Sequence, residues 1–383
     1  MSEIQIFINK IRLLEEKSGK LQKIVNFQDL IKCLHELDDL VEIHNVKTVI
    51  LRHIEMLLVL TMSKDNDLIV TDNHMLHTVI YGHPGVGKSR TAKILSKIWK
   101  ALGILKNIKM DTTIDIKTIL TRVNSIRDKY LTLYELNQNA DMKEYKKMWK
   151  SYNDQWSNIK IELSELASTL HKGITNNQEI VNREDDLIVV AGRENFVAEY
   201  SGQTAIKTLN FLKSCLGKCV IIEEAYLLYH GESDIYGLEA LTVLNRFMDE
   251  FAAYIAIIFT GYEDKLKETI FKAQPGLRRR CQWIFNLKGY SYEGLYHIFL
   301  KQLHELNWSF ENDTDVYEFF REHALKFPNF GGDTEKLAVH CKMMFSHSTF
   351  DNIVNSKTPI SISLKLNKEM LYQAFENYCV HDI

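Results

Sequence analysis

Three hundred and eighty-three residues, at roughly 150 per domain, predict two to three domains. Only 4 Pro and 17 Gly punctuate them, and 45% of the residues are apolar; that excludes a collagen-like, linker-rich or low-complexity chain and fits a protein with a large core. Lys plus Arg at 47 against Asp plus Glu at 50 leaves a net charge of −3, too near zero for a whole-surface attraction to nucleic acid or anionic lipid.

Residues 1–62 place Ile4, Phe7, Ile11 and Leu14, then Val46, Val49, Ile50, Ile54 and Leu57, at helical spacing. Four apolar runs then predict strands buried on both faces: Leu76 to Tyr81, Leu187 to Ala191, Cys219 to Glu223 and Tyr254 to Thr260, with a weaker fifth from Gln282 to Leu287. Helical stretches separate them, so the alternation predicts a mostly parallel α/β sheet. From Ser291 onward Leu295, Ile298, Phe299, Leu303 and Leu306 return to a helical period, predicting a small all-helical C-terminal domain. The first and second strands lie far apart in sequence, against the dozen or so residues a crossover needs. Between them Met142, Tyr145, Trp149, Tyr152, Trp156, Ile159, Leu163, Leu166 and Leu170 recur in alternating steps of 3 and 4, a heptad seam. Ile116, Ile119, Val123, Ile126, Tyr130 and Leu133 keep the same rhythm upstream, and Asn137 to Asp141 form the turn. A long antiparallel helical hairpin at about 111–172 is the expectation.

Six cysteines, Cys33, Cys215, Cys219, Cys281, Cys341 and Cys379, form no C-x-x-C pair, and no apolar signal segment follows Met1. A reduced, intracellular, soluble and cytoplasmic protein without disulfides is expected. The longest apolar stretch, Phe251 to Thr260, is about half of the roughly 20 residues a membrane span needs, so no membrane partner is expected.

The chemistry concentrates after the first strand. Gly82-His83-Pro84-Gly85-Val86-Gly87-Lys88-Ser89 is followed by Arg90-Thr91-Ala92 and a helical run. The glycines let the backbone wrap a phosphate with its N–H groups, and the helix N-terminus adds positive potential. Lys88 is expected to reach the β- and γ-phosphates of ATP, or the β-phosphate of ADP, and the Ser89 hydroxyl to ligate Mg²⁺. The third strand ends in Glu223 and Glu224. The first acid is expected to hold Mg²⁺ and the second to polarise the attacking water as general base. An Asp is usual at the first position; Glu223 is one methylene longer, and Mg²⁺ demands tight geometry. Thr260, at the end of the fourth strand, offers a hydroxyl between the acids and the γ-phosphate. Gln274-Pro275-Gly276-Leu277-Arg278-Arg279-Arg280 then places three cations in a row, of which one read as an arginine finger requires a neighbouring subunit.

From Leu37 to about Ile284 the chain resembles AAA+ ATPases of the red-type Rubisco activase and stage V sporulation protein K group. Besides the phosphate loop, the match includes Arg193 to Thr208, Glu223-Glu224-Ala225-Tyr226-Leu227-Leu228 and Tyr236 to Ala240. The resemblance implies an AAA+ P-loop core of five strands with a C-terminal helical lid. Its domains would be an N-terminal helical segment at 1–36, the ATPase core at 37–288 and the lid at 289–383. It further implies ATP hydrolysis with Mg²⁺ in a homo-oligomeric, hexameric ring, with a protein substrate gripped in a central pore by Tyr200-Ser201-Gly202. By the same pattern Arg280 is the first choice for the finger and Arg279 the second, while Leu40-Val41-Glu42 resembles the stretch that touches adenine. Where the group carries a second sensor Arg, this chain reads Gly331-Gly332-Asp333-Thr334-Glu335-Lys336, with Asp333 as an N-cap and Lys336 as the substitute. Two alternatives stand beside protein remodelling. Lys143, Lys146, Lys147 and Lys150 interleave with Tyr145, Trp149 and Tyr152 as in a nucleic-acid translocase, although those rings fall on the heptad seam; and the departures at Glu223 and the sensor Arg suit a slow-turnover, ATP-dependent oligomeric scaffold.

Overall fold

The computed structural model describes residues 2–18, 26–63, 76–104, 187–200, 202–355 and 363–381, all within one compact unit. The expected helical hairpin at 111–172 lies outside the described residues, as does Ser201. Three helices open the chain: α1 (Glu3–Ser18), α2 (Phe27–Asp38) and α3 (His44–Ser63). Asn26 caps α2 by accepting the Asp29 N–H, which satisfies one orphan donor of the first turn. Ile4, Phe7, Ile11, Val46, Ile50, Ile54 and Leu57 are buried, while Val49 is turned to solvent.

β1 (Thr78–Gly82) is followed by α4 (Lys88–Ala101), then β2 (Ile188–Ala191), α5 (Arg193–Phe196), α6 (Thr204–Ser214) and β3 (Cys219–Ile222). A 3-10 turn (Ala225–Leu228), α7 (Ile235–Glu250), β4 (Ala256–Gly261), α8 (Glu263–Glu268), α9 (Ile270–Ala273), α10 (Pro275–Arg280) and β5 (Trp283–Leu287) complete the α/β part. The five strands pair in the order β2-β3-β4-β1-β5, every pair parallel. Alternate residues of each strand point to opposite faces. Ile80, Ile221 and Ile258 pack against α1 to α4, while Val79, Val220, Ile222, Ile257 and Phe259 pack against α6, α7 and the short helices α8 to α10. Burial on both faces is why β1, β3 and β4 read as unbroken apolar runs; β2, expected to be buried on both faces, is an edge strand with Val190 exposed.

The C-terminal segment is α11 (Tyr292–His304), β6 (Ser309–Phe310), α12 (Asp313–His323), a 3-10 turn (Ala324–Lys326), α13 (Gly331–Asn355), β7 (Lys365–Leu366) and α14 (Lys368–His381). Its own core gathers Leu295, Phe299, Leu303, Phe319, Phe320, Phe327 and Leu371. Ser291 caps α11 by accepting the Gly294 N–H. Leu306 breaks from the helical pattern and is exposed, because α11 stops at His304 and Asn307 turns back at φ 60°. The helical segment also contains a two-residue parallel pairing of β6 with β7, too short to show as an apolar run. No helix among the described residues is long and apolar enough to cross a membrane.

Candidate nucleotide-binding site

The carboxyl ends of β1, β3 and β4 meet at one edge of the sheet, the place where open parallel sheets bind ligands. A cavity of about 500 Å³ opens there, lined by Pro84, Gly85, Gly87, Lys88, Ser89 and Arg90, by Asp39, Leu40 and Val41, by Glu224, and by residues of the C-terminal helices. Gly82 is the last residue of β1, and His83 is exposed beside Tyr262, their ring centroids 6.3 Å apart. Val86 is buried and anchors the loop in the apolar layer. Gly87, at φ 86°, is the N-cap of α4, a conformation that glycine adopts at little cost. The first-turn N–H groups of α4 have no partner within their helix, so they and the positive end of the helix dipole would favour an anion.

Lys88 is only 8% exposed. Its ammonium donates to the carbonyls of Gly82 at 3.0 Å and His83 at 2.9 Å, lies 5.4 Å from the centre of the Tyr262 ring and stands 3.8 Å from Glu224 Oε1. Burial pulls its pKa below the ordinary lysine value, while Glu224 and Glu223 act in the opposite direction. Glu224 is held in the left-handed region at φ 46°, ψ 48°, which costs a non-glycine residue about 1–2 kcal/mol. Its second oxygen, Oε2, is buried without a hydrogen-bond partner. Burial first, and the Glu224 carboxylate second, push the phenol of nearby Tyr226 up. A strained acid with an orphaned oxygen beside a lysine is an arrangement prepared for a ligand. Glu223 is half-buried and does not line the cavity. No group of three or more His, Cys, Asp or Glu among the described residues is arranged to hold a metal ion. Ser89 and Glu224 both line the cavity beside the loop; a hydroxyl with one carboxylate would fit a cation such as Mg²⁺ that keeps waters and phosphate oxygens as its other ligands.

The C-terminal helices close over this loop. Tyr290 donates to the Val86 carbonyl at 2.8 Å and Gly331 N–H to the Gly85 carbonyl at 3.2 Å. Gly85, at φ 70°, sits so close to the lid that a Cβ there would meet the Asn329 oxygen at 1.7 Å. The Asp39 to Glu42 segment is clamped to α11: Lys301 pairs with Asp39 at 3.1 Å, and Glu42, itself at φ 51°, accepts from the N–H and hydroxyl of Ser291. Arg90 reaches Glu305 at 3.4 Å. Asp333 is not the N-cap of α13; the helix already begins at Gly331, and the buried carboxylate reaches back to accept the Asn329 N–H at 2.7 Å. Lys336 does not line the cavity; its ammonium lies 4.0 Å from Asp333 while Glu335 takes the lining position. Lys301 is the one cation the C-terminal helices add to the lining, and it faces Asp39, on the Val41 side.

Other expected site residues lie apart from this cavity. Thr260 is 1% exposed and does not line it; its hydroxyl donates to the Ile222 carbonyl on the neighbouring β3 at 3.4 Å. Tyr262, two residues on, is the β4-end residue that faces Lys88. Arg280 is engaged within its own chain, pairing with Asp249 at 3.1 Å and donating to Asn245 at 2.8 Å. Arg279 is exposed on α10, beside a second opening lined by Tyr81 and Lys267. Tyr200 is 68% exposed, and Gly202 has a positive φ of 75° with open space around it. The contacts made by Glu42, Tyr262, Tyr290 and Asn329 carry no motif that the sequence alone could reveal.

No family model matches the chain. A cfxQ-like protein of Acanthamoeba polyphaga mimivirus is 25% identical over 284 residues, covering 73% of this chain and 51% of the relative. The chloroplastic ribulose bisphosphate carboxylase/oxygenase activase of Cyanidioschyzon merolae is 32% identical over 145 residues, 37% of this chain and 47% of its own length. Protein CbbX of Cereibacter sphaeroides is 32% identical over 130 residues, 34% and 42% of the two chains. The chain thus spans about half the length of the curated relatives it matches. Among solved structures, the RuvB Holliday junction branch migration motor of Thermotoga maritima superposes with a TM-score of 0.47 at 12% identity, over 89% of this chain and 71% of that one. With its phosphate loop after β1, the β2-β3-β4-β1-β5 parallel order and the helical segment that follows, the chain has a phosphate-loop α/β fold and is similar in sequence to proteins named ribulose bisphosphate carboxylase/oxygenase activase, CbbX and cfxQ-like.

Proposed function

We propose that this chain is an ATP hydrolase that works as a homo-oligomeric, hexameric ring to remodel a protein substrate. The observation that carries this reading is Glu224: a carboxylate in a left-handed conformation, one oxygen 3.8 Å from Lys88 and the other buried without a partner, facing the cavity of the phosphate loop. ATP with Mg²⁺ would supply the phosphoanhydride bond and the cation that neutralises its oxygens. The N–H groups from Gly85 to Arg90 would hold phosphate oxygens, with Lys88 leaving the Gly82 and His83 carbonyls for them. Ser89 and, through water, Glu223 would hold the metal. Glu224 is placed to orient and deprotonate a water. Leu40 and Val41 would cover the base, clamped between α2 and α11. The exposed, uncommitted Arg279 suits the role of the cation offered to a neighbouring subunit better than Arg280, which Asp249 and Asn245 hold in place. Tyr200, exposed beside Gly202, would grip the substrate. The lysine and aromatic pattern at 143–152 that would favour a nucleic acid lies outside the described residues; the support for a protein substrate is the exposed Tyr200 beside Gly202.

Two variants test this. Lys88→Ala is expected to abolish nucleotide binding, read by fluorescence of a labelled ATP analogue. Glu224→Gln is expected to bind ATP and assemble with it but to hydrolyse it at least about a hundredfold more slowly, the low end of general-base contributions. Normal turnover in Glu224→Gln would refute the assignment.

A further inference from the structure

Arg193 opens α5 directly after β2, and its guanidinium forms a two-pronged pair with Asp234. Nη1 meets Oδ2 at 2.7 Å and Nη2 meets Oδ1 at 2.9 Å. Nη1 also donates to the carbonyl of Leu228 at 2.7 Å, the last residue of the 3-10 turn that follows Glu224. Asp234 in turn caps α7, its carboxylate accepting the N–H groups of Gly237 and His230, each at 2.9 Å. Burial works against the charge, yet the Arg193 bonds and the two amides hold this carboxyl down to about 2. The junction is tight: a Cβ at Gly237 would lie 2.3 Å from Asp234 Oδ2 and 2.6 Å from the Leu228 oxygen.

Beyond Arg193 the chain toward Tyr200 is fastened at successive residues. Thr208 donates to the Phe196 carbonyl at 2.9 Å, Lys207 to that of Val197 at 3.0 Å, and the Ala198 N–H donates to Thr204 at 3.2 Å. Two residues later comes the exposed Tyr200. Capping α7 requires only Asp234. Arg193 adds something a cap does not need, a second attachment that joins the segment after the acid pair to the segment before Tyr200.

We propose that Arg193 is a positioning residue which, through Asp234 and Leu228, transmits the state of the Glu223–Glu224 segment to the Tyr200 segment. This rests on the reading of Glu224 as a residue that responds to nucleotide. A planar fork binds both carboxylate oxygens and a carbonyl at once; an ammonium cannot reproduce that geometry.

Hydrogen exchange on the full chain, with and without a non-hydrolysable ATP analogue, tests the proposal in wild type, Arg193→Lys and Arg193→Ala. In wild type, nucleotide is expected to slow exchange over both 223–234 and 197–209. In Arg193→Lys, affinity is expected to stay within about threefold and the 223–234 response to persist, while the 197–209 response shrinks by about tenfold. Arg193→Ala should do the same; if it does not fold, Arg193→Lys decides alone. A 197–209 segment that responds in Arg193→Lys as in wild type overturns the proposal, and so does a wild-type segment that ignores nucleotide. Because exchange reads binding without turnover, failure of wild type to hydrolyse ATP would refute the proposed activity and leave this result to be judged separately.

Discussion

His77 supplies a prediction whose size follows from the structure. It is fully buried just before β1. Its Nδ1 accepts the Ile257 N–H at 3.2 Å, and its Nε2 lies 3.0 Å from the Met248 carbonyl, to which it donates. The ring therefore pins the start of β1, whose other end carries the phosphate loop, to β4 and to α7. Both nitrogens are used by the neutral tautomer, and an added proton on Nδ1 would face an N–H donor. Burial pushes the imidazole from its ordinary 6.5 down to about 4, and the Met248 carbonyl opposes this only in part. A histidine with a depressed folded pKa contributes stability in full above 6.5 and loses it as the pH falls toward 4. At 1.36 kcal/mol per pH unit, that gap corresponds to about 3 kcal/mol, a large fraction of the 5–15 kcal/mol typical of a folded domain. His77→Gln can make both hydrogen bonds without titrating. Urea denaturation from pH 8 to pH 4 is expected to show wild type losing about 3 kcal/mol more than His77→Gln over that range. The contribution of Asp234, whose carboxyl is held from 3.8 down to about 2, is lost as pH falls through that range, at and below the acid end of this window, and equally in both proteins. Parallel stability curves for the two proteins between pH 6.5 and pH 4 would refute the reasoning.

In mixtures with Lys88→Ala subunits, Arg279→Ala is expected to recover hydrolysis when the two kinds of subunit co-assemble; no recovery at any ratio, with recovery for Arg280→Ala instead, would return the finger to Arg280. Glu42→Ala removes the acceptor that Ser291 uses at the start of α11 and is expected to weaken nucleotide binding by about tenfold, the effect of one charge-assisted hydrogen bond; an unchanged Kd by titration calorimetry would exclude Glu42 from holding the base segment. Tyr200→Ala should leave basal ATPase within about twofold, as expected for an exposed side chain, while abolishing its stimulation by substrate. Equal stimulation in the two proteins would remove Tyr200 from substrate contact.

The strands and the phosphate loop were legible because their signals are local. An apolar run buried on both faces, Gly-His-Pro-Gly-Val-Gly-Lys-Ser and a helical run follow one another within a short stretch of chain. The closure of the site was not legible, because it depends on partners far apart in sequence: Tyr290 meets Val86 and Ser291 meets Glu42 across 204 and 249 residues. Neither tyrosine nor glutamate has a pattern that announces such a contact. Thr260 is a different case: its place at the strand end was evident, but the bond its hydroxyl makes to the Ile222 carbonyl on β3 was not, nor was the place of Tyr262 beside Lys88. The three arginines diverge for a geometric reason: on α10, which Pro275 starts, successive residues lie about 100° apart, so Arg280 folds back onto α7 and Arg279 faces out.

Lys88 does not wait for a ligand with its charge unanswered. Two carbonyls and a carboxylate already surround it, so arrival of a phosphate is a substitution in which old contacts are surrendered as new ones form. Titration calorimetry should then record a smaller heat than the number of contacts suggests. The same internal ligands restrain the ammonium from drawing in stray anions, so selectivity at this site begins with what the loop holds for itself.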